Sequence, residues 1–255
     1  MVNSPYAMIL AAGFGSRLNP EEGHKLLAHV GGRPLIDYHL DNFARLGVHT
    51  TIVVTGHRSD DLEAPLEAVE RPEAMDIVFA HNADYKRSNG LSVLAGVERL
   101  RACEDGGFAP FWLTMSDHLF EPAFFDDLAS RFHAGRSSRW QGALGVDYKL
   151  DTIFDMPDAT KVAVGTAPLR IGKELERFDA VDVGLFWCDR GFVAALEEER
   201  ALRDDCSTSD AVRRLHEQDA FGFWDIGHRF WQDVDTPGAH EHAEVLLKGW
   251  KGRTH

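Results

Sequence analysis

The stretch Tyr6-Ala7-Met8-Ile9-Leu10-Ala11-Ala12-Gly13-Phe14-Gly15-Ser16-Arg17-Leu18 decides how this chain reads. A short apolar run, too brief for a helix, gives way to small residues and two glycines. That is a buried strand entering a tight turn. Small residues let the backbone bend and bring several N–H groups toward an anion, while Arg17, and Lys25 shortly after it, supply the balancing charge. Leu10, Ala11, Ala12, Gly13, Gly15 and Ser16 are therefore candidate nucleotide-binding residues, with a triphosphate as the anion. Spacing removes two rival loops. A dinucleotide-binding turn needs glycine where Leu18 stands, and a Walker A loop needs Gly-Lys-Ser/Thr, which is absent. The plain alternative, a strand-to-helix turn with glycines for conformation alone, is weakened by Arg17 and Lys25.

Outward from this stretch, short apolar runs at residues 6–10, 51–55, 76–80 and 111–115 read as buried parallel strands. They alternate with amphipathic helical patterns at 35–46, 60–69 and 91–101. This rhythm predicts an α/β fold, Rossmann-like and doubly wound on a mostly parallel sheet, with a ligand crevice at the carboxyl ends of the strands. From about residue 141 the pattern turns β-rich at 141–148, 161–166, 169–171 and 180–188, and antiparallel pairing in a flap over or beside the main sheet is expected. Helices follow at 190–203 and 208–218, then a strand, then a terminal helix at 237–248 with Pro237 in its first turn. No repeat or Gly/Ser linker interrupts the chain. We expect a single domain over 1–255, its nucleotide-binding half about 1–140 and its β-rich elaboration about 141–255.

The 255 residues are 44% hydrophobic and 27% charged, and 27 Lys plus Arg against 41 Asp plus Glu leave a formal charge of −14. This balance argues against a broad grip on nucleic acid or on an anionic membrane surface. No run approaches the roughly 18 uninterrupted apolar residues of a membrane span, so direct membrane insertion is not expected. The apolar stretch at 6–12 lacks a preceding basic residue and a cleavage site, and the widely spaced Cys103, Cys188 and Cys206 form no metal motif; both point to a cytoplasmic protein with reduced thiols. Oligomeric state leaves no mark in the sequence, with which a homodimer is compatible.

Met115-Ser116-Asp117-His118 closes the fourth of the parallel strands and puts Asp117 at the edge where ligands bind. Near the other end of the chain, Trp231-Gln232-Asp233-Val234-Asp235-Thr236-Pro237 carries two carboxylates at i and i+2, which share a face of an extended segment. Hard oxygen donors of this kind suit Mg²⁺ shared with substrate phosphates. Asp117 and Asp235 have a plainer alternative as helix caps. His216, His228, His240 and His242 read as surface or packing residues, and Trp224, Phe230 and Trp231 as core near the carboxylate strand. His118 stands apart because it follows Asp117.

With Lys25-Leu26-Leu27, the Leu10–Leu18 stretch resembles the signature of the nucleotidyltransferases that make NDP-sugars and NDP-alcohols. Further matching stretches are Asn89-Gly90-Leu91-Ser92, Met115–His118, Ala159-Thr160-Lys161-Val162, Ile171-Gly172-Lys173, Val181-Asp182-Val183-Gly184 and Trp231–Pro237. Together they cover the chain almost end to end, and the middle ones are most similar to the CTP:inositol-1-phosphate cytidylyltransferase branch. The resemblance implies a GT-A-like fold and a Mg²⁺ ion clasped by Asp117 and the Asp233/Asp235 pair, with the choice within the pair open. It also implies that Lys173 faces the acceptor's phosphate, that Asp182 accepts hydrogen bonds from acceptor hydroxyls, and that Asn89, Gly90 and Ser92 lie against the base. Lys161 is similarly placed, or else a strand residue facing water. Choline-type relatives often carry Asn-Asn where this chain has Asn89-Gly90, which weighs against phosphocholine.

The expected reaction is attack of an acceptor phosphate on the α-phosphorus of CTP, with Arg17, Lys25 and Lys173 as catalytic cations and Mg²⁺ as cofactor. Inositol 1-phosphate is the expected acceptor, with a sugar 1-phosphate, phosphocholine or an aminoalkylphosphonate as alternatives. A silent nucleotide-binding regulator is the distant alternative. The resemblance also implies a membrane CDP-alcohol phosphotransferase as downstream partner.

Overall fold

The computed structural model describes residues 4–14 and 24–251. Its main sheet has nine strands. Four of them form the expected parallel half: β1 (Tyr6–Leu10), β4 (Thr50–Thr55), β5 (Asp76–His81) and β6 (Phe111–Met115), in the order β6-β1-β4-β5. A small hairpin of β2 (His29–Val30) and β3 (Arg33–Pro34) lies outside the sheet.

Alternation along the strands explains the layers, because successive side chains point to opposite faces. Tyr6, Met8 and Leu10 pack with Val93, Leu94 and Val97 of α3 (Asn89–Cys103). Ala7 and Ile9 face the other way, into the cluster of Ile36, Leu40 and Phe43 from α1 (Leu35–Arg45) and Leu62 and Leu66 from α2 (Ser59–Glu67). Both faces of β1 are thus covered, which is why its sequence is continuously apolar rather than alternating.

The stretch between β6 and the β-rich half holds two elements absent from the sequence expectations. β7 (His118–Phe120) follows β6 directly, and α4 (Pro122–Gly135) starts with proline at its first turn. Phe124, Phe125, Leu128 and Phe132 of α4 recur at helical spacing and bury against the second face.

The β-rich half is not a separate flap. β8 (Gly142–Asp147), β11 (Ala180–Cys188) and β12 (Phe221–Asp225) extend the main sheet; β8 and β11 pair antiparallel as expected, and β12 joins β8 in parallel. Along one edge β11 pairs antiparallel with β6 through Leu185–Cys188, while its first residues, Ala180 and Val181, pair with β9 (Lys161–Ala163). β10 (Arg170–Gly172) then pairs with β9. The sheet therefore forks at residues 182–184, and only β9 and β10 form a side branch. α5 (Arg190–Arg203) and α6 (Thr208–Glu217) cover the first face, and α6 starts with a reciprocal capping box between Ser207 and Asp210. β13 (Trp231–Asp233) pairs with β7, and α7 (Pro237–Lys251) packs Leu247 and Trp250 on Val30, Leu35 and Leu119. Among the described residues no helix is long and apolar enough to cross a membrane.

The fork needs Gly184. Its φ is +71°, and a Cβ there would run into the imidazole of His118. Gly184→Ala is expected to lose about 1–3 kcal/mol of stability, combining backbone strain with a displaced ring. Urea unfolding midpoints of the two proteins check this.

Candidate active site

The carboxyl end of β1 forms the floor of a cleft of about 840 Å³. Its backbone is pinned on both sides: Ala11 N–H donates to Val54 O at 2.9 Å, and Ser116 N–H donates to Leu10 O at 3.1 Å. Leu10, Ala11, Ala12 and Gly13 line the cleft. Gly15, Ser16 and Arg17 lie outside the described residues.

Lys25 enters from a single helical turn, Lys25–Leu27, anchored by the fully buried Leu26. Its ammonium stands 2.7 Å from Asp117 Oδ2 and 4.0 Å from Asp235 Oδ2. The other Asp117 oxygen faces His118 Nδ1 at 2.9 Å. Burial by itself would raise the Asp117 pKa, but His118 and Lys25 hold it far below the ordinary carboxylate range. For His118, burial opposes the charge and is outweighed by Asp117, Asp233 and Asp182, so its pKa is raised. Its ring stacks on Trp231 at 5.5 Å with a 10° interplanar angle, and Trp231 Nε1–H donates to Asp147 at 3.2 Å. Trp231 therefore does more than fill core: it forms a wall of the cleft.

Pairing of β7 with β13 brings the distant carboxylates home. Asp233 lies opposite His118 in the ladder, and Val234 N–H donates to Asp117 O at 2.7 Å. Burial and the nearby Asp235 and Asp117 raise the Asp233 pKa, opposed by His118. Asp233, Asp235 and Asp158 place one oxygen each within 4.8 Å of one another. Three hard oxygen donors, one of them with its ionisation suppressed by neighbouring carboxylates, fit a divalent cation that would relieve the repulsion. Asp117 lies outside this group, with its oxygens toward Lys25 and His118. The cap of α7 comes from Thr236, whose Oγ1 accepts from Ala239 N–H at 3.2 Å, and not from Asp235.

The far wall belongs to the side branch. Lys173 donates from Nζ to Asp158 Oδ1 at 2.6 Å, and both line the cleft with Asp182. Lys161 does not face water: it is buried behind that wall. Burial pushes the Asp182 carboxyl up to about 6, opposed by the Gly184 N–H from which it accepts and by the nearby His118.

Asn89 and Ser92 line the opposite side. Asn89 is engaged with α6: Oδ1 accepts from Thr208 N–H at 3.0 Å and Nδ2–H donates to Thr208 Oγ1 at 3.1 Å. Ser92 Oγ accepts from Asn82 Nδ2–H at 2.9 Å. Gly90 is turned to packing: a Cβ would collide with the Cys206 carbonyl, and it does not line the cleft. Sequence reasoning missed Asp158 and the Ser207-Thr208-Ser209 rim. The Ser207-x-x-Asp210 capping pattern was a usable signal for the rim; Asp158 offered none.

A strand opening straight into a cleft of opposed cations and clustered carboxylates is the architecture of enzymes that handle nucleoside triphosphates. Residues 7–144, more than half the chain, match the model of the MobA-like NTP transferase domain, and the chain belongs to that family of nucleotidyltransferases. It is similar to the "bifunctional IPC transferase and DIPP synthase" of Rubrobacter xylanophilus, with 30% identity over 250 residues covering 96% of this chain and 52% of that protein. The protein so described in Thermococcus kodakarensis is 31% identical over 247 residues, covering 94% of this chain and 50% of that one. The chain thus spans about half the length of these relatives. A solved structure described as the "inositol-1-phosphate CTP transferase from T. maritima" shares the fold, with a TM-score of 0.74 at 23% identity over 99% of this chain and 98% of that chain.

Because the folded Asp182 pKa lies above its unfolded value of 3.8, the carboxylate's contribution to stability is largest below pH 3.8 and is lost as pH rises through about 6. Asp182→Asn should therefore be more stable than the parent at pH 7 by about 1–3 kcal/mol, with the advantage fading toward pH 4. Denaturant titrations across that range check both sign and window.

Proposed function

We propose that the chain transfers a cytidylyl group from CTP to inositol 1-phosphate, releasing pyrophosphate and forming CDP-inositol. The observation that carries this reading is the way the carboxylates bridge two lysines in one cleft. Lys25 stands by Asp117 and Asp235, Lys173 by Asp158, and Asp158 and Asp235 belong to one cluster. A phosphate-to-phosphate condensation needs this layout, with a cation for each phosphorylated partner and an acidic centre between them. The choice of CTP and inositol 1-phosphate is supported by likeness to the two bifunctional relatives along nearly the whole chain.

In this reaction an oxygen of the acceptor phosphate attacks the α-phosphorus, the bond to the bridging oxygen breaks, and its electron pair leaves with pyrophosphate. The nucleophile is already an anion, so no general base is needed, and alignment and charge neutralisation supply most of the acceleration. Lys25 shifts from Asp117 toward the triphosphate, with Arg17 and the N–H groups around Gly13 as its helpers. Lys173 moves from Asp158 to hold the acceptor phosphate, and Asp182 accepts from its hydroxyls. Asp158, Asp233 and Asp235 would hold Mg²⁺, which supplies charge neutralisation to the phosphates when bound. Asp117 reinforces that position from behind Lys25. The Asn89–Ser92 segment and the α6 rim border the base. We place the reaction in the cytoplasm, and its product would feed a CDP-alcohol phosphotransferase step.

Pyrophosphate release tests the reading, with Mg²⁺ or with chelator, crossing the four common NTPs with inositol 1-phosphate, glucose 1-phosphate, phosphocholine and 2-aminoethylphosphonate. Signal is expected only with CTP, inositol 1-phosphate and Mg²⁺ together; another productive acceptor keeps the chemistry and replaces the substrate. Lys25→Met should lower kcat by about 10²–10³ with the circular dichroism spectrum unchanged, the usual scale for losing one donor to developing charge. A near-parental rate would remove Lys25 from the mechanism.

A further inference from the structure

Lys161 is a buried ammonium, 7% exposed, that the mechanism above does not use. Taking such a charge out of water costs several kcal/mol unless its donors are matched. Here its three N–H donors face three backbone carbonyls: Pro157 at 3.3 Å, Ala159 at 3.4 Å and Lys173 at 2.5 Å. The Phe178 ring lies 5.9 Å from the ammonium.

The three carbonyls come from two separate segments. Pro157 and Ala159 flank Asp158, and the third belongs to Lys173 itself. Asp158 and Lys173 form the ion pair on the acceptor wall, whereas Lys161 lies behind that wall and does not line the cleft. The backbone of Lys161 also pairs with Gly172 on one side and Val181 on the other, and Asp182 N–H donates to Thr160 O at 2.8 Å. Asp158, Lys173 and Asp182 are thus each one step from Lys161 in the fold. The Asp158–Lys173 pair is half-exposed, and one cation behind it ties down both of its supporting segments.

We infer that Lys161 is a positioning residue for the acceptor side of the cleft, acting through the Asp158–Lys173 pair. The inference rests on the reading of Lys173 as the acceptor-phosphate ligand. It separates the two substrates: the three carbonyls that Lys161 holds belong to the acceptor side, whereas the CTP side is built on β1 and Lys25.

The test uses Lys161→Met, which keeps the stem and removes the donors, with Lys161→Gln as a milder second variant should the first fail to fold. Lys161→Met is expected to raise KM for inositol 1-phosphate about tenfold, the scale of about 1.4 kcal/mol, while KM for CTP changes less than about twofold. In a Lys173→Met background the same change should add less than about twofold, because residues acting as one unit are not additive. Hydrogen exchange of the substrate-free full chain gives an independent reading: residues 156–160 and 172–176 should exchange about tenfold faster together, with β1 and β6 unchanged. Equal rises in both KM values, full additivity with Lys173→Met, or unchanged exchange would each overturn the inference. If the parent protein does not turn over inositol 1-phosphate, the proposed function falls separately, and the exchange measurement still decides whether Lys161 holds the two segments.

Discussion

The Asp117 carboxylate, gripped from one side by Lys25 and from the other by His118, is the interaction on which the rest of the cleft depends. With one oxygen on Lys25 and the other on His118, the carboxylate has a partner on each side, which offsets what its burial costs. Each of them anchors a different element. Lys25 ties the 25–27 turn to the end of the sheet, His118 opens β7, and the backbone oxygen of Asp117 receives Val234 N–H from the segment after β13. Support reaches further back through Trp231, which stacks on His118 and is itself held by Asp147, a carboxylate only 2% exposed.

The second constraint is the fork of β11. One strand edge serves β6 with its last residues and β9 with its first, so the sheet must open between them. Gly184, with its positive φ, occupies the opening and leaves room for His118. The cleft lies at this opening, and Lys173, the residue that follows β10, lines it together with Lys25. A chain of formal charge −14 still places cations in this cleft, and Lys25 and Lys173 are each paired there with a carboxylate.

Much of the nucleotide half was legible in the sequence. Short apolar runs of five residues bounded by polar residues or glycine read as buried strands, so β1, β4, β5 and β6 could be placed to within a residue. The glycine turn after β1 and the carboxylate after β6 then fell at the same sheet edge by geometry alone. α4 is legible in retrospect from Phe124, Phe125, Leu128 and Phe132, which repeat at helical spacing. The β-rich half was legible as strands but not as topology. The sequence of β12 does not name its neighbour, and it joins β8 in parallel from almost eighty residues away.

By itself, then, the sequence determined the class of fold, the end of the sheet that binds ligands and the residue types available there, since all three follow from local periodicity and turn chemistry. Only the tertiary structure decided which of those residues meet. It put Asp158 beside Asp233 and Asp235, turned Asp117 toward Lys25 and His118, committed Asn89 to Thr208 and buried Lys161 against the backbone of Lys173. These are contacts between residues up to about 120 positions apart. They depend on strand pairing and buried charge balance, which no local window of sequence contains.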